Sequence, residues 1–63
     1  MLRWIYVSPD KMVAYGIVKY TIWRGHVHDY YAKAGIEVIG NGSTQLDVMN
    51  LCNKYENILK GKN

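Results

Sequence analysis

His26-Val27-His28-Asp29 is the one place in this 63-residue chain where two imidazoles stand close together. Alternation along a strand would put His26 and His28 on the same side, which is how a metal site can begin. A closed zinc site needs a third and a fourth ligand. The single Cys52 and the scattered acids do not supply them, so no metal is expected. Cys52 falls on an apolar helical stripe, where a thiol acts as a small hydrophobe; a nucleophilic cysteine wants an exposed, electropositive setting. Gly40-Asn41-Gly42-Ser43-Thr44 has the outline of an anion cradle ahead of a helix. It lacks the lysine and spacing of a P-loop and the third glycine of a dinucleotide fingerprint, and it reads as a turn leading into a cap. The five acids offer no pair placed for acid–base work. No catalysis, cofactor or small-molecule substrate is expected.

Binding is what remains. Tryptophan, tyrosine and arginine are the residue types enriched at interaction hot spots. Trp4, Tyr6, Tyr15, Trp23 and Tyr30, with Lys19 and Arg24 beside them, form the candidate partner-binding set. The same residues suit single-stranded nucleic acid, with the rings stacking bases while Arg3, Lys19 and Arg24 hold phosphates. Eight Lys and Arg against five Asp and Glu give a net charge of +3, a mild basic bias short of a dense nucleic-acid patch.

The elements that must position these residues follow from patterning. Leu2 to Val7 is a short β-prone run, and Ser8-Pro9-Asp10-Lys11 fits a type I turn or a helix start with Ser8 as N-cap. Val13 to Trp23 is the longest apolar run, and its β-branched residues and mid-run Gly16 favour one central strand over a helix. Arg24-Gly25 reads as a two-residue hairpin loop that pairs Trp23 with His26 and opens a third strand, His26 to Ala32. Gly35 ends or kinks that strand, Ile36 to Ile39 adds a short fourth strand or an extension, and Gly40-Asn41-Gly42 is a break.

Ser43 or Thr44 then caps a helix, with Asp47 in a capping-box-like position. Val48, Leu51, Cys52, Tyr55, Ile58 and Leu59 form its apolar stripe, with Lys60 and Gly61 closing it. The spacing predicts a single small α+β domain in β-β-β-α order. Its antiparallel sheet, of three or four strands, spans about residues 2–39, and one C-terminal helix over about 44–60 packs on one sheet face.

Counting register from these turns puts Ala14, Gly16, Val18, Tyr20, Ile22, Val27 and Tyr31 on the helix-covered face. Trp4, Tyr6, Tyr15, Lys19, Trp23 and Tyr30 then share an uncovered face, and a large uncovered apolar face marks an interaction site. The expected function is a small non-enzymatic protein-interaction module, an inhibitor or accessory subunit acting stoichiometrically. Self-association is also expected, because so short a chain has neither disulfide nor structural metal to staple it. The alternative is single-stranded nucleic-acid binding on the same face. The longest apolar run is too short to span a membrane, and the N-terminus lacks a signal-peptide pattern. With one free cysteine, a cytoplasmic home is expected.

Overall fold

A computed structural model of the chain describes residues 2–26 and 29–61. Five strands run in chain order: β1 (Trp4–Ser8), β2 (Lys11–Tyr15), β3 (Lys19–Arg24), β4 (Tyr30–Ala34) and β5 (Glu37–Gly42). They form one antiparallel sheet in the order β1-β2-β3-β4-β5, followed by the helix α1 (Gln45–Gly61). The α+β class and the C-terminal helix agree with expectation, and the strand count is five rather than three or four.

The extra strand comes from the run expected to be continuous. Val13 to Trp23 folds back on itself, with Tyr15 opposite Lys19 and residues 16–18 as the turn. Nothing in Ile17-Val18 signals a turn; a distant group imposes it. The Ile17 N–H donates to both carboxylate oxygens of Glu56 at 3.0 Å, and the Gly16 N–H donates to the Val18 carbonyl at 3.0 Å. A Cβ on Gly16 would collide with that carboxylate, so glycine is what lets the turn and helix meet.

Two other turns shift the register. Ser8 pairs with Lys11, but Tyr6 rather than Val7 pairs with Met12, leaving Val7 as an extra residue in β1. Because side chains alternate, that one-residue shift turns Trp4 and Tyr6 to the helix side of the sheet. Arg24 pairs with Tyr30, so the β3–β4 connection is five residues long instead of two. It is closed by Gly25 N–H to the Asp29 carbonyl and Asp29 N–H to the His26 carbonyl, both 3.1 Å. The longer loop turns Tyr30 to the helix side and Tyr31 to the other. It also takes Asp29 off the buried face, where the two-residue loop would have forced it.

β4 and β5 join through Gly35-Ile36, with Gly35 at φ 63° and Ala34 opposite Glu37. A glycine opening a two-residue loop suits the twist of the flanking strands. β5 runs on through Gly40-Asn41-Gly42, which was expected to be a break. Both glycines lie under α1: a Cβ on Gly40 would run into the Leu51 side chain, and one on Gly42 would sit 2.8 Å from the Asp47 Cβ. They permit close helix approach rather than a chain reversal.

α1 begins as its cap predicts, with the Asp47 N–H donating to Thr44 Oγ1 at 3.1 Å. Its backbone lies over β3, β4 and β5, and it reaches the β1–β2 half only through side chains such as Gln45, which faces the Tyr6 hydroxyl at 3.5 Å. Its inward row is Val48, Cys52 and Glu56, four residues apart, while Ile58 is exposed. That row closes on Met12, Ala14, Tyr20, Ile22, Ala32 and Ala34, the buried face of the sheet. The three alanines make room for the helix, and Tyr20 meets Tyr55 edge-on, centroids 6.4 Å apart.

Candidate binding face

The side of the sheet away from α1 is built by the opposite alternation. Lys11, Trp23, Tyr31 and Asn41 form one row across four strands, and Val13, Thr21, Lys33 and Val38 form the next. Ile5 joins opposite Val13, and Tyr15 stands beside Lys19 at the β2–β3 end. Neighbouring strands lie about 4.8 Å apart, so side chains within a row touch. Trp23 stacks on Tyr31 with centroids 5.5 Å apart and planes 22° from parallel. Lys33 places its ammonium 6.0 Å from the Trp23 ring centre, and Lys19 lies 5.9 Å from that of Tyr15. Lys11, Thr21, Trp23 and Lys33 together line an open hollow of about 330 Å³.

Charge is sorted between the two faces. Lys11, Lys19 and Lys33 all stand at open-face positions. None of the acids does: Asp10 is in the β1–β2 turn, Asp29 in the β3–β4 loop, Glu37 opposite Ala34, and Asp47 and Glu56 on α1. Arg24 is held at the edge by Asp10, 2.8 Å between guanidinium and carboxylate, with both groups largely in water.

Of the seven expected binding residues, Tyr15, Lys19 and Trp23 share this open face. Trp4 and Tyr30 instead pack against the core from the helix side, and Tyr6 shares their face while remaining largely exposed. The Trp4 indole N–H is buried with no acceptor among the described residues. Arg24 lies at the end of β3, tied to Asp10. Three residues that complete the face, Lys11, Tyr31 and Lys33, were not singled out from sequence. The two-residue loop count puts Tyr31 on the core side, and a mild net charge of +3 does not single out Lys11 or Lys33.

Among the described residues the groups weighed for other chemistry form no site. His26 is exposed in the β3–β4 loop, and His28 lies outside the described residues. Among the described residues no three His, Cys, Asp or Glu side chains gather to hold a metal ion. Cys52 is fully buried, and burial pushes its thiol up to about 11, which keeps it protonated at neutral pH. Burial, then the hydrogen bond to Glu56, raises the Tyr20 phenol above its ordinary range. Glu56, 6% exposed, accepts from the Tyr20 hydroxyl at 2.8 Å as well as from Ile17, with Lys60 3.9 Å away. Sequence reading missed this residue. Its signal was positional, since Glu56 falls four residues after Cys52 and eight after Val48, in the buried row.

A polar hollow of about 530 Å³ opens beside Glu56, between Tyr15 and Gly16 on the sheet and Asn53, Asn57 and Lys60 on the helix. Glu56 holds the turn and helix together there, and among the described residues no second carboxylate lines the hollow. Among the described residues no helix is long and apolar enough to cross a membrane. Comparison of the chain with known protein families, curated proteins and solved structures finds no match. The functional reading rests on the open face.

Proposed function

We propose that this protein is a non-enzymatic binding module whose open sheet face takes single-stranded nucleic acid. One observation carries the reading: three lysines and a stacked Trp23–Tyr31 pair occupy a face on which no carboxylate stands. An aromatic platform with cationic neighbours is how strands are held without strict sequence preference, because every base has a π-face. Trp23 stacks a base at the hollow, and Lys11 and Lys33 on either side reach the phosphates as point charges. Thr21 and Asn41 are the uncharged polar groups at hand, too few to read base edges at several positions.

The second reading is the protein partner, bound by an inhibitor or accessory subunit on the same face. It is favoured by the exposed Ile5, Tyr15 and Val38 that rim the lysines. Self-association face to face is disfavoured on charge, since it would set lysine against lysine.

Anisotropy titration with single-stranded DNA and RNA oligonucleotides at several salt concentrations separates these readings. Nucleic-acid binding predicts affinity that falls linearly with the logarithm of salt, with a slope reduced by about 0.7 for each lysine changed to glutamine. Trp23→Ala should weaken it by about 5- to 150-fold. Absence of salt-dependent binding to either strand type sinks the nucleic-acid reading and leaves the protein partner.

A further inference from the structure

The sheet has two edges, each with one extra residue, Val7 in β1 and Ile39 in β5, and they differ in charge and cover. β5 carries Glu37 and is packed by α1 at Gly40 and Gly42. β1 contains no charged residue and no proline between Trp4 and Ser8, and no element lies beside it. Three consecutive residues of β1 are exposed, Ile5 at 54%, Tyr6 at 63% and Val7 at 59%. Consecutive strand residues point to opposite faces, so apolar surface flanks both sides of a row of unpaired backbone N–H and C=O groups. Lysine, proline, a bulge and a covering element are the usual guards of such an edge, and here the strand has only the bulge at Val7.

We infer that β1 pairs antiparallel with β1 of a second copy, making a ten-stranded sheet across a two-fold axis. The occupant is a second copy because the edge is self-complementary in backbone and neutral in charge. Two chains of net charge +3 repel over most of their surface and can approach most cheaply where no lysine stands. Antiparallel alignment also brings Arg3, just before the strand, toward Asp10 of the other copy, just after it. The extra residue at Val7 limits the regular pairing to a few residues, so the dimer is small in area and reversible. A two-fold axis perpendicular to the sheet keeps both helices on one side and both lysine faces on the other. The inference stands on the β1 edge alone and does not need the nucleic-acid reading.

Sedimentation velocity over a rising concentration series, with amide hydrogen exchange at both ends of the series, tests it. Expected are a mass that moves from monomer to dimer and slower exchange at Ile5 to Val7 in the concentrated sample. Val7→Lys places a charge on the exposed edge and should weaken the dimer about tenfold or more, with an unchanged circular dichroism spectrum. Trp23→Ala, on the open face, should leave the dimer intact. A monomer at every concentration overturns the inference. So does a dimer that ignores Val7→Lys, or one whose concentration-dependent protection falls on β5.

Discussion

The two faces of this sheet are written in the same five strands, one residue out of phase, and they are built for opposite tasks. On the helix side, Ala14, Ala32, Ala34, Gly40 and Gly42 are small so that α1 can settle onto Tyr20 and Ile22. On the other side, Trp23, Tyr31, Tyr15 and three lysines are large, and among the described residues no element lies over them. Small residues let a helix approach; long ones reach for something else. The difference teaches that stability and binding are divided largely by face, Val13 being the one buried side chain among the described residues of the open side. Substitutions under α1 should therefore alter folding, and those among the open-face lysines should alter partners.

The sharpest way to break that division is at Glu56, whose carboxylate satisfies both the Ile17 amide and the Tyr20 hydroxyl. Glu56→Ala orphans two buried or half-buried donors, and each such loss costs about 1–3 kcal/mol. A drop of about 3 kcal/mol in denaturant unfolding is expected, a large share of the stability of so small a domain. Ala32→Leu, which overfills the interface beneath α1, should cost about 1–3 kcal/mol in the same assay.

Alkali should act through the covered face as well. An unfolded chain ionises Cys52 from about pH 9, whereas the folded chain holds that proton to about 11. Between those values the unfolded state binds fewer protons, so stability falls as pH rises. The contribution is complete below pH 9 and amounts to about 2–3 kcal/mol over the window, with the raised Tyr20 phenol adding in the same direction. A flat stability from pH 9 to 11 would mean the helix does not seal these groups.

Smaller still should be the folding effect of the open face. Lys11→Gln and Lys33→Gln are expected to shift unfolding by less than about 0.5 kcal/mol while flattening the salt dependence of binding. Ile36, 97% exposed at the β4–β5 tip, should accept threonine with no measurable change in either assay.

Those expectations depend on register, which the sequence conveyed unevenly. The helix was legible because its cap, stripe and last-turn lysine are local signals that agree with one another. The β-character of residues 4–24 was legible from branching and aromatics. What failed were the connections. Gly16 was visible as a helix breaker, but only a carboxylate about forty residues downstream makes it a turn. Val7 looked like any strand residue, and its bulge exchanges the faces of Trp4 and Tyr6. Arg24-Gly25 satisfied a tight-loop pattern that the longer loop overrides. The last two errors are ones of parity, and parity decides which half of the aromatics meets water. Three of the seven candidate residues, Tyr15, Lys19 and Trp23, kept their predicted face because β2 and β3 preserve the alternation across an odd-length turn.

The Glu56 clamp also bears on how a cell would treat incomplete copies. The acceptor for Ile17 and Tyr20 sits in the fourth turn of the helix, 36 to 39 residues downstream of its donors. A polypeptide interrupted between Gly42 and Glu56 holds every strand yet lacks the acceptor for the Ile17 amide and the Tyr20 hydroxyl. Such a fragment loses at least what Glu56→Ala loses, about 3 kcal/mol, so it is expected to open more often and to be cut by protease sooner than the whole chain.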